Sequence, residues 1–424
     1  MKMVKKKSHS ADSLSPLFVR GFGGGSSFSP PSEGTGEAST PNRIFSIDVF
    51  RAITMLLMIF VNDFWSLTGI PDWLQHAEAD QDFLGFSDII FPCFLFIVGM
   101  SIPYAIRNRI GKGENNLKIL AHIQIRSLAL LVMGLFTVNI SDLNVEVSGL
   151  SRQWFQILMV AGFFLIWNVY PKSDDWKKYL FAGMQLAGIA LLVALYLVFK
   201  GGEDGSANMT TQWWGILGLI GWTYLISAPI YLFARKSTVL ILGAWLLFSL
   251  LNIAEHAGWL KTPIPGGGAF QGFAFAGIAA SLLLDRATDP EKRKKLPLFY
   301  IGTGILLLIG GLILRNFFII SKIQATPSWV FLCNGIAFGF FALIYFVVDL
   351  KGKASWFDLI KPAGTSTLTC YLIPYVYYSL ATYAFTLPVF LKTGIIGLGK
   401  SMVYALIIIG ITALLGKLKI KLKI

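Results

Sequence analysis

Cysteine and histidine are both scarce: three cysteines and four histidines occur among 424 residues. Cys93, Cys333 and Cys370 each fall inside an apolar stretch, which argues against a disulfide framework, and their spacing is not that of a metal site. Charge is also sparse. Asp, Glu, Lys and Arg make up 14% of the chain, whereas a soluble domain carries about a quarter. Alternating ten-residue segments are missing too; stretches such as 301–314 do not alternate, so a transmembrane β-barrel is excluded. Gly266, Gly267 and Gly268 follow prolines but lack the strand or Lys-Ser/Thr context of a phosphate-binding loop. Residues 1–43 are dominated by Lys, Ser, Gly and Pro and hold no apolar run long enough for a signal-peptide core. They read as a disordered, basic cytoplasmic tail ahead of a transmembrane domain over 44–424.

Apolar residues make up 55% of the chain, and runs of about twenty of them recur, the length that crosses a bilayer core. The expected fold is an all-α polytopic membrane bundle of 11–12 transmembrane helices. Spans are predicted at 44–66, 88–106, 117–138, 154–170, 179–199, 213–233, 238–254, 270–285, 298–315, 329–349, 363–387 and 399–416. The eleven-span alternative reads the Pro374 region differently. The connecting segments then alternate in charge: twenty-seven Lys and Arg lie on one side and five on the other, or six with Lys400. The positive-inside rule puts both termini in the cytoplasm. A multi-pass protein of a bacterial cytoplasmic membrane is expected, with the lipid bilayer as partner. Topology accounts for the net charge of +13, so no nucleic-acid partner is inferred.

Between the first two spans lies PDWLQHAEADQDFLGFSD, residues 71–88, with five acidic residues, one histidine and no Lys or Arg. His76 here is a candidate for chemistry, and Asp88 or Glu78 is placed to orient it. Ser87 or Asp88 also fits a helix N-cap. Polar groups inside spans are costly and mark functional candidates. In the first span Asp48, Arg51 and Asn62 share one helical stripe, which runs from a charged inner mouth to an amide beside the His76 loop. The same spacing also fits a simple Asp48–Arg51 pair at i,i+3. His122 and Arg126 share a face of the third span. Arg51, Arg107 and Arg126 together suit a basic site for phosphates, because the guanidinium fork binds phosphate oxygens in pairs. A structural partner such as Asp48 is the alternative for Arg126. Pro92, Gly99 and Pro103 suggest a bent second span. Arg315 reads as an interface anchor and His256 as a surface residue.

The first span, the loop with His-Ala-Glu and the second span together resemble the heparan-alpha-glucosaminide N-acetyltransferase-like family of membrane acyltransferases. The specific part is R-x-x-S-x-D-x-F-R over 43–51, followed by Val61-Asn62 and by D-x-x-F-P-x-F-L-F-I-x-G over 88–99. Weaker similarity continues through EHAGWLKTPIP, ISKIQATPSWVF and KPAGTSTLTCYLIP, colinear over 43–415. The resemblance implies transfer of an acetyl group from cytoplasmic acetyl-CoA to an extracytoplasmic amino sugar or glycan. It implies that His76 is the catalytic residue and that Asn62 and Asp88 match the family's asparagine and aspartate. Two motifs depart. The family's Trp-Asn-Gly after the histidine is replaced by Asp80-Gln81-Asp82, and Leu-Gln-Arg in the fourth span appears as Phe155-Gln156-Ile157. Both fall on the outer side and bear on the acceptor.

Chemically, a neutral imidazole at His76 suits a general base or an acyl-imidazole carrier. Asn62 suits an oxyanion donor, Arg51, Arg107 and Arg126 suit the acetyl-CoA phosphates, and Asp48 is placed with them at that cofactor-binding mouth. A homodimer is among the expected assemblies. The rival is a proton-coupled secondary transporter, against which no second copy of the 46–51 block occurs in the later half.

Overall fold

The computed structural model describes residues 44–384 and 386–424; the tail expected over 1–43 lies outside the described residues. Among the described residues, twelve of the longer helices match the twelve predicted spans. They are α1 (Phe45–Asn62), α2 (Ser87–Gly111), α3 (Asn116–Val138), α4 (Arg152–Trp167), α5 (Lys177–Val198), α6 (Gly215–Ala234), α7 (Thr238–His256), α8 (Ala269–Arg286), α9 (Pro290–Leu314), α10 (Pro327–Tyr345), α11 (Thr367–Ala384) and α12 (Gly394–Lys417). Among the described residues, 10 helical segments are long and apolar enough to cross a membrane; α4 and α11 are the two helices outside that group. The chain is a polytopic helical membrane protein. Pro92 and Pro103 lie within α2 and Pro374 within α11, and both helices continue through them.

Several helices start where the sequence supplies a cap. The side chains of Asn115, Ser151, Ser237 and Asp289 accept from main-chain N–H groups three residues on, opening α3, α4, α7 and α9. No side chain caps α1 locally. Instead Asp349, in the π-helical turn that extends α10, accepts the main-chain N–H groups of Phe45 and Ser46 at 3.2 Å each. One carboxylate thus ties the start of α1 to the end of α10.

Close packing sets the centre of the bundle. A Cβ added at Gly99 of α2 would lie 2.0 Å from the Ala274 carbonyl oxygen, and one at Gly277 of α8 would lie 1.9 Å from that of Phe96. Only glycine lets the two backbones approach so closely. Accordingly α8 and α2 are the most enclosed spans, 83% and 67% buried, whereas α5 and α9 are 17% and 22% buried and present apolar side chains outward to lipid.

The connecting segments meet in two sets. On one face the α1–α2 loop pairs with the α11–α12 loop through Thr68 N–H to the Lys392 carbonyl (2.8 Å), and Phe83 N–H reaches the Ile320 carbonyl (3.3 Å). On the other, Lys423 N–H reaches the Trp167 carbonyl (2.9 Å) and Arg107 pairs with Asp285. These sets coincide with the charge-poor and the basic connections of the sequence.

Candidate active site

The α1–α2 loop doubles back over the charge-poor face. Gly85 allows this, since a Cβ there would lie 1.9 Å from the Gln75 carbonyl oxygen. Phe86 N–H bonds the Trp73 carbonyl at 2.8 Å, and the Ser87 hydroxyl donates to the Leu74 carbonyl at 2.6 Å. Neither Ser87 nor Asp88 caps α2. Asp88 is 1% exposed, and its Oδ2 accepts from the main-chain N–H of Ala77 (3.0 Å) and Gly85 (3.2 Å). Its Oδ1 lies 2.6 Å from His76 Nδ1. Pro92 has no N–H to give the Asp88 carbonyl four residues back. That carbonyl accepts from the indole N–H of Trp329 on α10 instead, at 3.2 Å.

Both carboxylate oxygens of Asp88 therefore act as acceptors. A carboxylate only accepts, so the 2.6 Å contact is satisfied when the ring proton sits on Nδ1, the Nδ1–H tautomer. Nε2 is left as the basic atom. The His76 side chain is 47% exposed, so the ring is reachable from outside the bundle. Of the two carboxylates that the sequence offered for this task, Asp88 makes the contact.

A second loop, between α9 and α10, completes the cluster. Lys322 Nζ lies 3.1 Å from His76 Nδ1 and 3.8 Å from Asp88 Oδ1. Burial pushes the Lys322 amine below the usual lysine value, with the Asp88 charge opposing that shift. The loop is braced from several sides. Asp82 Oδ1 accepts Ile320 N–H at 2.8 Å, and its Oδ2 accepts Arg315 Nε–H at 2.8 Å. The Ile320 hydrogen bond and the Arg315 charge hold the Asp82 carboxyl below its ordinary value. The Ser321 hydroxyl and the Gln324 amide donate to the Ala79 carbonyl at 2.8 and 2.7 Å. His256 Nε2 sits 3.0 Å from the Gln324 carbonyl oxygen.

Asn62 falls elsewhere. It lines a cavity of about 370 Å³ between α1, α4 and α11, together with Arg152, Gln156, Tyr375, Tyr378 and Tyr404 of α12. On α11 the lining runs from Thr382 to Tyr371, about 16 Å of helix at 1.5 Å per residue. His76 does not line this cavity, nor do Arg51, Arg107 or Arg126. Behind Tyr378 lies a network that sequence reasoning missed. Asp63, 2% exposed, pairs with Lys400 Nζ at 2.5 Å and accepts from the Ser401 hydroxyl at 2.6 Å and from Tyr378.

On the basic face, the expected arginines have separate partners. Arg51 pairs with Asp48 at 3.2 Å and donates to the Ser101 hydroxyl of α2 at 2.7 Å. Arg107, 53% exposed, pairs with Asp285 and lies over the Tyr104 ring. The Arg126 guanidinium lies 4.6 Å from the centre of the Tyr224 ring on α6; this ring stands where the sequence suggested Asp48.

The family profile described as "Domain of unknown function (DUF5009)" matches residues 43–257, half of the chain. The chain belongs to the DUF5009 family. The DUF5009 match runs from α1 to the end of α7 and holds Asp48, Arg51, Asn62, His76, Asp88, Arg107 and Arg126. Among similar curated proteins is the heparan-alpha-glucosaminide N-acetyltransferase of Homo sapiens, 32% identical over 102 residues, 24% of this chain and 15% of that protein. The enzyme of the same name from Mus musculus is 29% identical over 146 residues, 32% of this chain and 21% of that protein. The chain thus covers well under two thirds of these relatives' own length. Lys322 and Lys400 lie beyond the DUF5009 match. The one signal for them was their place among the few basic residues of the charge-poor connections.

Proposed function

We propose that this protein is a membrane-embedded acetyltransferase that moves an acetyl group from cytoplasmic acetyl-CoA to an amino sugar or glycan on the opposite side of the membrane. The observation that carries this reading is the His76–Asp88 contact of 2.6 Å, made by a buried carboxylate whose second oxygen is fixed by two main-chain N–H groups. A histidine oriented in this way at Nδ1 offers Nε2 either to deprotonate an attacking amine or hydroxyl or to carry the acetyl group as an acyl-imidazole. Asp88 stabilises the positive ring that each route creates. The names of the similar curated proteins support acetyl transfer to an amino sugar.

The remaining roles belong to the same proposal. Asn62, on the wall of a cavity that His76 does not line, is assigned to a reactant bound in that cavity and not to the acyl oxygen at His76, where the sequence had suggested an oxyanion donor. Arg107, exposed at the basic face, with Arg51 and Arg126 deeper in the bundle, receives the CoA phosphates, and Asp48 holds Arg51 in place. Arg152 and the tyrosines of α11 face the acceptor. The basic face lies towards the cytoplasm of a bacterial inner membrane, and the assembly is a homodimer.

Incubating purified full-length protein with radiolabelled acetyl-CoA and glucosamine tests the reading. Labelled N-acetylglucosamine is expected, with loss of roughly 10²-fold or more in His76→Ala. Unimpaired transfer by that variant would remove His76 from the mechanism. The buried Asp63–Lys400 pair beside the cavity favours the second reading, a proton-coupled transporter, which predicts solute flux without any labelled product.

A further inference from the structure

Lys322 stands where no role has been assigned. Its ammonium group carries only donors, and the imidazole nitrogen 3.1 Å away already holds a proton directed at Asp88. Nδ1 cannot give its proton to Asp88 and accept one from Lys322 at once. The ammonium therefore serves as a second positive group around the one carboxylate, 3.8 Å from Asp88 Oδ1. Two cations that face a single carboxylate oppose each other, and each weakens the other's hold on a proton.

We infer that Lys322 is a positioning residue for His76: its ammonium competes with the imidazolium for Asp88 and keeps His76 in the neutral, reactive form. This inference deepens the acetyltransferase reading and rests on it for its use, but its geometry does not depend on it. The loop that carries Lys322 is built for fixed placement, through Ser321 and Gln324 on the Ala79 carbonyl and Ile320 on Asp82. Lys322 itself is 26% exposed, so water screens the two cations only in part, and burial already lowers the proton affinity of its amine. The other charged groups near His76 are less directly engaged. On its own segment Asp72, Glu78 and Asp80 are exposed, and Asp82 is taken up by Arg315. On α7, His256 reaches the Lys322 loop only through the Gln324 carbonyl. On α10, Cys333 faces the main-chain carbonyl of Asp88. In the transfer step, a proton taken up at Nε2 would raise the local charge to two cations against one anion, and the same repulsion would drive that proton off to solvent and restore the base.

The test is the pH dependence of His76 modification by diethyl pyrocarbonate, which attacks neutral imidazole, read by peptide mass spectrometry on full-length protein. The series is wild type, Lys322→Met, Lys322→Gln and Lys322→Arg, with the thermal midpoint of each as the folding control. Both neutral variants are expected to move the midpoint of modification up by about one pH unit, while Lys322→Arg keeps it near wild type. An unmoved midpoint in a folded neutral variant overturns the inference, whether or not acetyl transfer is found. A moved midpoint in a protein that transfers no acetyl group upholds the Lys322–His76 coupling and sinks the acetyltransferase reading instead. If neither neutral variant folds, modification of wild-type protein before and after acetylation of Lys322 with acetic anhydride reads the same shift, and an unmoved midpoint there overturns the inference equally.

Discussion

Trp329 donates its indole N–H to the main-chain carbonyl of Asp88 at 3.2 Å, the acceptor that Pro92 leaves open within α2. The indole is fully buried and fastens the start of α2 to α10. Trp329→Phe keeps the packing but leaves that carbonyl only the weak Cys333 thiol at 4.0 Å, at a cost of about 1–3 kcal/mol. A lower thermal midpoint in detergent is expected, together with lower acetyl transfer, because Asp88 orients His76.

Asp88→Asn removes the charge that faces the imidazole while nearly preserving shape. The amide either donates to Nδ1 or loses an acceptor towards Ala77 and Gly85, so the ring no longer has one enforced tautomer. Acetyl transfer is expected to fall by roughly 10²–10⁴-fold, measured as kcat with labelled acetyl-CoA. Binding of acetyl-CoA at the basic face is expected to stay near wild type.

Asp82 supplies a pH test of the loop that carries Lys322. Its carboxyl is held below the ordinary value of 3.8 by the Ile320 N–H and by Arg315. A depressed carboxyl contributes stability that is fully present above 3.8 and is lost as pH falls through its lower folded value. Proteolysis of the 315–326 loop is therefore expected to stay slow at neutral pH and to rise only under acid conditions below 3.8. In Asp82→Asn it is expected to be faster at neutral pH and to lose most of this dependence.

Lys400 and Asp63 pair at 2.5 Å with the carboxylate almost fully enclosed. Lys400→Met leaves that charge buried without its cation and is expected to cost about 3–5 kcal/mol. The double variant Asp63→Asn with Lys400→Met removes both charges and is expected to recover most of the loss. Thermal unfolding of the two single variants and the double variant measures the coupling.

Much of this architecture is legible in the chain. Hydropathy places all twelve helices because a bilayer demands long apolar runs, and α4 and α11 still stand out although they fall outside the long apolar group. His76 is conspicuous in a loop without Lys or Arg, and Asp88 is found because it opens a span. What stays hidden depends on chain crossings. Lys322 lies 246 residues from His76, and nothing local marks it as the residue that the α9–α10 loop delivers there. Asp63 follows Asn62 directly, yet its partner Lys400 comes from α12. The stripe of Asp48, Arg51 and Asn62 on α1 is real as periodicity, but its ends meet different neighbours, Ser101 on α2 and the cavity beside α4 and α11. Periodicity fixes an azimuth on a helix and leaves open what another helix brings to it.

Proteoliposomes with a single protein orientation test the central claim most directly. Labelled acetyl-CoA is supplied at the basic face and glucosamine is enclosed on the side of His76. The account predicts labelled N-acetylglucosamine inside the vesicles for wild-type protein and none for His76→Ala. Product formed only on the donor side, or formed equally by the His76 variant, would contradict it.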